Sequence, residues 1–321
     1  MSKMPNCPVI AIEEHYWDPE LMKALGGGGF ASDAELEKRL YDFTGIRLKE
    51  MDAAGVDIQV ISHGAPSGQR LPADTGPGIV RGVNDRLAEK VAANPKRFAA
   101  FAALATADPA AAADELERAV TRLGFKGAML HGMTGGEFLD LPKYWPIYAR
   151  AEALDVPVYF HPAIPHPAVT EAYYKDYVKD FPMVIRPAWG FTVETATQAI
   201  RLVLSGVFEK HPKLKVILGH LGETLPFLLG RIDEALKRPG QKQIDFRSVF
   251  SKNFYVTTSG FFSNPALLCT VMEMGVDHIL FAIDWPFVMN PPAMDWIEDV
   301  PLSEEDKIKI LSGNARRLLK M

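Results

Sequence analysis

The stretch VIAIEEHYW, residues 9–17, decides how the rest of the sequence is interpreted. Its apolar first half predicts a strand buried on both faces, over residues 9–15. Side chains at i and i+2 of a strand share a face, so we expect Glu13 and His15 to point together into the interior. Glu14 between them is expected to point outward in a structural role. A carboxylate and an imidazole at the end of a buried strand indicate a functional site.

Seven further segments of this kind follow, at residues 58–63, 98–104, 127–131, 156–161, 215–220, 254–259 and 278–284. Amphipathic stretches that end in glycine lie between them, most clearly at residues 47–55, 108–124 and 194–206. Eight buried strands alternating with helices predict an α/β fold, a (β/α)8 TIM barrel. A doubly wound open sheet is the alternative, and the lack of a G-x-G-x-x-G motif after the first strand weakens its dinucleotide-binding version.

The 321 residues of the chain exceed the usual ~100–200 of one domain, but α/β barrels often run longer. We therefore predict a single barrel domain over residues 1–321, with long loops after strands one and five. The first loop, residues 16–41, contains four consecutive glycines at 26–29, which predict a flexible segment. The second, residues 166–191, contains Trp189 and Phe191, either as walls for a flat ligand or as packing within the loop.

Composition excludes several classes of protein. The net charge is −5 and no block of basic residues is present, so nucleic-acid binding is not expected. The longest apolar run, residues 98–105, is far shorter than the ~20 residues that cross a bilayer, and no signal peptide is evident. The two cysteines, Cys7 and Cys269, are too few for a disulfide framework and predict a reducing, cytoplasmic location.

Polar side chains recur where the predicted strands end. They are His15, His63, His131, His161, His220 and Asp284. A single buried histidine is often a core residue whose hydrogen bonds are made within the protein. Five histidines and one carboxylate at strand ends are hard to explain in this way, because polar side chains do not stabilise an apolar strand. In a barrel these ends form one mouth. Glu13, His15, His161 and Asp284 together make a mixed nitrogen and oxygen set that suits Zn²⁺ or Mn²⁺, with positions open for water or substrate.

The segment GHLGETLP, residues 219–226, turns from a predicted strand into a helix. We expect His220 at the mouth and Glu223 in the first helical turn. Glu223 could fix the tautomer of His220, cap the helix, or do both. Arg231, about two turns along, could neutralise a substrate carboxylate or form a surface pair with a nearby acid.

The order of several stretches along the chain identifies a family. They are AIEEHY (11–16), RLKEMDAAGVD (47–57), NPKRFAAFAAL (94–104), LGFKGAML (123–130), VPVYFHP (156–162), LKVILGHLGETLPF (214–227), FYVTTSGFF (254–262), HILFAIDWPF (278–287) and NARRLLKM (314–321). Together they resemble the metal-dependent amidohydrolase superfamily. Within it, the chain is similar to the nonoxidative hydroxybenzoate decarboxylases, which include the γ-resorcylate, 2,3-dihydroxybenzoate and 5-carboxyvanillate decarboxylases.

This resemblance implies one divalent metal, Zn²⁺ or Mn²⁺, at the four positions named above, and a small aromatic acid as substrate. It implies that Asp284 also protonates the ring carbon that bears the carboxylate, in a reaction that reverses at high bicarbonate. His220 would be a catalytic histidine beside the metal, with Glu223 behind it. The resemblance further implies a homo-oligomer, either a dimer or a tetramer.

Two departures from the family concern the substrate site. His131 stands where many relatives have asparagine after the fourth strand, so contacts to the substrate ring are expected to differ. The bridging lysine of two-metal relatives is absent at that strand end, which favours one metal.

Arg47 matches a position near the substrate or a subunit contact in some relatives, and Arg231 remains a candidate for the substrate carboxylate. The glycines at 26–29 match no family pattern.

Two other functions compete with decarboxylation. A hydrolase or hydratase on the same barrel would use a metal-activated water, with Asp284 as the general base. A catalytically inactive binding protein is the third possibility. The complete set of Glu13, His15, His161 and Asp284 argues against it, because nothing structural requires a full set of ligands.

Overall fold

Eight parallel strands lie where the sequence predicts them. The structure is a computed structural model, and it describes residues 4–27 and 33–321. Within the described residues the strands are β1 Ile10–Tyr16, β2 Ile58–His63, β3 Phe98–Ala100, β4 Ala128–His131, β5 Val158–His161, β6 Val216–Leu218, β7 Phe254–Thr257 and β8 Ile279–Leu280. Most strands are shorter than predicted: β3, β6, β7 and β8 stop before the predicted end at the mouth, and β4 and β5 begin one or two residues late.

The strands close into a barrel. Parallel pairing runs through β1-β2-β3 and through β4-β5-β6-β7-β8. A backbone bridge between Ala102 and Ala128 joins the end of β3 to β4. On the other side, the Asp284 N–H donates to the carbonyl of Glu13 at 3.0 Å, which joins the end of β8 to β1. The predicted (β/α)8 barrel is confirmed, and its strands therefore end at one mouth.

Helices surround the strands and fill the connections between them. In the described residues they are α1 Pro19–Ala24, α2 Ala34–Tyr41, α3 Ile46–Ala54, α4 Gly76–Ala93, α5 Pro109–Leu123, α6 Trp145–Leu154, α7 Pro167–Val169, α8 Gly190–Leu204, α9 Val207–Lys210, the distorted turn α10 His220–Glu223, α11 Leu225–Leu236, α12 Phe246–Asn253, α13 Asn264–Met274, α14 Asn290–Asp299, α15 Glu304–Ile308 and α16 Asn314–Leu319. Shorter 3₁₀ or π turns are Ser67–Arg70, Pro142–Tyr144, Thr170–Tyr174, Pro182–Ile185, Val276–His278 and Lys309–Gly313.

The predicted helix ends agree with the observed ones, with one exception. α3 and α5 stop at Gly55 and Gly124, both with φ 75°, a left-handed backbone that glycine adopts without a steric penalty. α8 begins four residues before its predicted start at 194. A Cβ at Gly190 would lie 2.6 Å from the backbone of Ile185. Only glycine allows this close approach, and the apolar pattern carries no sign of it.

Two apolar layers lie on the two sides of the strands. The larger layer packs the strands against the surrounding helices. The smaller one fills the barrel interior, so the barrel is a packed core rather than a channel. Its buried side chains are Ile10, Ile12, Val60, Ala99, Phe101, Met129, Tyr159, Ile217, Leu280, Ala282, Ala315, Leu318 and Leu319. No helix in the described ranges is long and apolar enough to cross a membrane.

The two long loops carry short helices rather than unstructured chain. The loop after β1 contains α1 and α2; part of the predicted glycine segment, residues 28–29, lies outside the described residues. The loop after β5 contains α7 and two short turns. It also presents exposed aromatic side chains, namely Tyr173, Tyr177, Phe181 and Trp189.

Candidate metal centre and active site

Four side chains from opposite sides of the barrel meet at its mouth. Glu13 and His15 belong to β1, His161 ends β5, and Asp284 follows β8. One potential ligand atom from each residue lies within 4.8 Å of the others. Glu13 and His15 reach the same point because they are two residues apart on one strand. The structure therefore brings together all four predicted metal ligands.

The atoms that face the centre of this cluster lack hydrogen bonds. Among the described residues, Glu13 Oε1, His15 Nε2 and Asp284 Oδ1 are buried and have no hydrogen-bond partner. His15 Nε2 lies 3.2 Å from Asp284 Oδ1, and His161 Nε2 lies 3.4 Å from Glu13 Oε1. Buried polar atoms without partners are costly. Two carboxylates and two imidazoles facing one point fit a divalent cation such as Zn²⁺ or Mn²⁺.

In His15 and His161, the second ring nitrogen, Nδ1, lies within hydrogen-bond distance of another group. His161 Nδ1 lies 2.8 Å from the carbonyl of Pro162, so Nδ1 carries the proton and donates it. His15 Nδ1 lies 3.2 Å from Ser62 Oγ. Such contacts orient the rings and leave the Nε2 lone pairs for a metal. Ser62 precedes the predicted strand-end residue His63 on β2, and its role was not predicted.

The second oxygen of Glu13 is anchored by hydroxyl groups. Tyr159 Oη and Thr257 Oγ1 both donate to Glu13 Oε2, the latter at 3.2 Å. A Cβ at Gly219 would lie 3.2 Å from the same oxygen, so glycine leaves room for this arrangement. The sequence reasoning missed Tyr159 and Thr257. The signal was present for Tyr159, since it lies two residues before His161 on the same strand face.

His220 and Glu223 are held by an unusual turn. His220, Leu221, Gly222, Glu223 and Thr224 all have positive φ, between 50° and 83°. Left-handed backbone costs non-glycine residues roughly 1–2 kcal/mol each. The turn places Glu223 Oε1 2.7 Å from His220 Nδ1. Glu223 therefore lies before α11 rather than in its first turn, which corrects the prediction, and its observed partner is the imidazole.

The ionisable side chains at the mouth have different charge states because their surroundings differ. Burial lowers the pKa of His15 and His161 to about 4, which keeps both rings in the neutral form that binds metals. Burial also opposes the charged form of His220, but Glu223 and Glu13 outweigh it and raise its pKa to about 10. Burial and the nearby Glu13 raise the pKa of Asp284 to about 7.

A cavity of about 650 Å³ lies beside the cluster. His131 and Phe191, two of the predicted substrate contacts, line it, and so does Gln69 from the loop after β2. The ring of His131 lies 4.8 Å from that of His161, centroid to centroid, which makes the cavity a neighbour of the cluster. Gln69 was not predicted, because a glutamine in a connecting loop has no distinguishing pattern.

The remaining predicted substrate contacts lie elsewhere. Arg47 is fully buried, where its guanidinium donates to the carbonyl of His15 at 2.6 Å and lies over the ring of Trp285. It is not among the residues that line the cavity, and its predicted contact with substrate or a second subunit stays a prediction. Trp189 and Arg231 are exposed and also do not line the cavity; their contacts with substrate stay predictions.

Comparison with known proteins places this site in a family. The family model described as amidohydrolase matches residues 10–321. The chain belongs to the amidohydrolase family. It is 41% identical to a γ-resorcylate decarboxylase of Rhizobium sp. (strain MTP-10005), over 97% of this chain and 98% of that protein.

Solved structures of this family have the same fold. A dihydroxybenzoic acid decarboxylase of Polaromonas sp. JS666, with bound manganese and the inhibitor 2-nitroresorcinol, is 40% identical with a TM-score of 0.89, covering 98% of this chain and 97% of that one. A 5-carboxyvanillate decarboxylase of Sphingomonas paucimobilis is 34% identical with a TM-score of 0.90, covering 98% and 100%. The resemblance stated from sequence is thereby confirmed.

Proposed function

We propose that this protein is a metal-dependent nonoxidative decarboxylase, reversible as a carboxylase, of an aromatic acid with a hydroxyl ortho to its carboxylate. The observation that carries the proposal is the placement of the His220–Glu223 pair beside the four-residue cluster: a Cβ at Gly260 would lie 3.5 Å from both Asp284 Oδ2 and His220 Cδ2. A charged imidazole there would stabilise negative charge on a substrate oxygen, and the similarity to γ-resorcylate decarboxylase favours decarboxylation over hydrolysis.

The four clustered side chains would hold one divalent ion, and both Zn²⁺ and Mn²⁺ match the donor set. Bound there, the ion would supply Lewis acidity toward the phenolate and carboxylate oxygens of the substrate. Neutral His15 and His161 would leave Glu13, whose pKa is lowered by the neighbouring histidines, as the anionic donor. The related Polaromonas enzyme structure contains manganese, which supports a metal of this kind.

Asp284 would deliver the proton. Its O–H bond breaks as a C–H bond forms at the ring carbon that carries the carboxylate. The bond from that carbon to the carboxylate carbon then breaks, its electron pair restores the aromatic ring, and CO2 leaves. A carboxyl group whose pKa is raised to about 7 is partly protonated near neutral pH, as a general acid must be.

His220 would stabilise the negative charge on the substrate. Its Nδ1–H is directed to Glu223, so Nε2 is the ring nitrogen left to donate to a phenolic or carboxylate oxygen. The raised pKa of His220 keeps this donor charged at neutral pH. Phe191 and His131, which line the cavity, are proposed to contact the ring of the substrate.

The experiment is turnover of a panel of hydroxybenzoates by metal-loaded protein in D2O. We expect CO2 release and one deuterium at the vacated ring carbon. Prior removal of the metal with a chelator should abolish the reaction, and Mn²⁺ or Zn²⁺ should restore it. Metal analysis of the purified protein should give one ion per chain.

The Asp284→Asn variant tests the proton donor, because an amide cannot deliver a proton and is a weaker ligand. We expect it to lose about 10²-fold or more in turnover while keeping its secondary structure. Asp295→Asn is the matched control, since Asp295 is exposed on α14. Turnover of esters or lactones in place of hydroxybenzoates would overturn the proposal in favour of the hydrolase. Near-normal decarboxylation by Asp284→Asn would refute the role of that residue alone.

We further propose that residues 1–321 form one domain and that the chain assembles as a homo-oligomer in the cytoplasm. Hydrogen bonding between β1 and the end of β8 supports the single domain. Tyr173, Tyr177 and Phe181 are 71%, 60% and 65% exposed; grouped apolar exposure of this kind supports a contact with a second copy. Both cysteines are free thiols, which supports a reducing compartment. Light scattering of the purified protein tests the oligomer.

A further inference from the structure

The cavity beside the cluster has an arginine at the end that opens to solvent. Its exposed lining residues are Arg70, Pro72, Gly135, Gly136 and Pro167. At the inner end lies the buried His131, whose ring is 4.8 Å from that of His161 in the cluster. Within the described residues that line the cavity, no other arginine or lysine occurs, and no aspartate or glutamate. The lining therefore offers an entering ligand a fixed positive charge and no carboxylate.

The guanidinium of Arg70 has no partner in the described part of the chain. It forms no ion pair, hydrogen bond or cation–π contact there. Other arginines on the surface of the barrel are paired, for example Arg86 with Asp18 at 2.7 Å. The acid closest to Arg70 in sequence, Asp74, is exposed and does not pair with it. The charge of Arg70 is therefore not compensated by a neighbour and can act on an anion in solution.

The backbone of Arg70 is fixed although its side chain is exposed. Arg70 ends the short turn Ser67–Arg70, and the preceding Gln69 is only 2% exposed. A Cβ at Gly68 would lie 2.4 Å from the carbonyl oxygen of Leu104, so the turn packs directly on the backbone that follows β3. This packing holds the base of the Arg70 side chain at the opening of the cavity.

The charge of the whole chain opposes the approach of an acidic substrate. The net charge of the protein is −5, and an aromatic acid is an anion at neutral pH. Opposite charge placed at a cleft raises the rate of diffusional encounter, and such charges change association more than they change final affinity. A cation at the opening is thus where a local charge has the greatest effect on the entry of an anion.

We propose that Arg70 is an entrance cation, which attracts the carboxylate of an incoming aromatic acid and speeds its entry into the cavity. This inference rests on the proposed decarboxylase function, which makes the substrate an anion. Once the acid reaches the cluster, its carboxylate has left the opening. Arg70 is therefore a positioning residue that acts on association, and it takes no part in the chemical step.

The test is stopped-flow fluorescence of metal-loaded protein mixed with the hydroxybenzoates of the turnover panel. At about 0.01 M salt, where charges act over about 30 Å, Arg70→Gln should lower the association rate constant about fivefold. The dissociation rate constant should hardly change. Arg70→Lys should keep most of the rate, whereas Arg70→Glu should lower it about 25-fold because the change in charge is doubled. Near 1 M salt, where the screening length is about 3 Å, all variants should converge.

Two controls separate this effect from a general change in charge or structure. Arg122 is also exposed and has no partner among the described residues, but it lies on α5 and does not line the cavity. Arg122→Gln should therefore alter the association rate constant by less than about twofold. The neutral amide of the same acid, a hydroxybenzamide, should associate equally fast with the wild type and with Arg70→Gln.

The outcomes for Arg70 and for the decarboxylase are distinguishable. Association rate constants that Arg70→Gln and Arg70→Glu leave unchanged, or an equal loss with the neutral amide, would overturn the entrance cation. Acids that associate with the expected dependence on Arg70 and on salt, but release no CO2, would support the entrance cation and count against the decarboxylase alone. Failure of every hydroxybenzoate to associate with the wild type would overturn both.

Discussion

Replacing Glu14 by glutamine tests how the chain holds Asp284 at the mouth of the barrel. Glu14 is completely buried, as Glu13 and His15 are, but its carboxylate does not join their cluster. Its Oε1 accepts the N–H of Ile283 at 3.0 Å, and its Oε2 accepts the N–H of Trp285 at 3.1 Å. These two amides stand on either side of Asp284, whose φ is 76°. Glu14 is therefore a clamp on the backbone that positions Asp284.

The magnitude follows from these contacts. Glutamine keeps the length of the side chain, but its NH2 group cannot accept the second backbone N–H. One buried amide and one buried NH2 group are then left without partners, at about 1–3 kcal/mol each. Burial raises the pKa of Glu14 well above its usual value, and the two backbone N–H donors and the nearby Arg47 charge only partly offset that effect. We expect the free energy of unfolding to fall by about 2–4 kcal/mol, and metal affinity to weaken by about tenfold as Asp284 is displaced.

The assay is urea unfolding of metal-free protein, followed by metal titration of the folded variant. Glu89→Gln is the matched control, because Glu89 is exposed on α4 and the same chemical change there should alter stability by less than about 0.5 kcal/mol. A Glu14→Gln variant as stable as this control would refute the clamp. Lost stability with unchanged metal affinity would show that Glu14 supports the fold without positioning Asp284.

Three other predictions concern single side chains. Glu223→Gln should lower the pKa of His220, because the neighbouring anion is lost, and should move the alkaline limit of the pH–rate profile to lower pH; an unchanged profile would contradict the pairing. Tyr159→Phe removes a donor to Glu13 and should weaken metal binding by about tenfold, measured by competition with a chelator. Burial raises the pKa of Glu194 to about 7 from its usual 4.5. Between these pH values the folded state keeps a proton that the unfolded state has released. The free energy of unfolding should therefore fall as the pH rises through this range. Urea unfolding at pH 5 and pH 8 should show this loss in the wild type and a smaller one in Glu194→Gln.

Much of the candidate site could be predicted because it depends on strand alternation. Glu13 and His15 share a face in any extended strand, and a closed parallel barrel brings the end of every strand to one mouth. Strand assignment brings His161 and Asp284 to this mouth together with other strand-end histidines, and the tertiary structure decides which of them join Glu13 and His15. The predicted cluster is accordingly present in the structure.

Residues outside the strands were less predictable. Arg47 and Arg231 are both arginines on helices, yet one is fully buried and the other is exposed; a long flexible side chain reaches different partners according to the elements packed around it. The left-handed turn at His220 is a second example. Local preference disfavours that backbone for non-glycine residues, and only the surrounding contacts hold it in place.

The sequence by itself determined the barrel and the strand ends that meet at its mouth, because hydrophobic periodicity and strand order are properties of local spacing. Tertiary structure decided the supporting contacts: the Glu14 clamp, the hydroxyl anchors on Glu13 and the His220–Glu223 pair. These contacts join residues far apart in the chain or depend on backbone that local preference disfavours. Their hydrogen-bond geometry exists only after the helices and loops have packed around the strands.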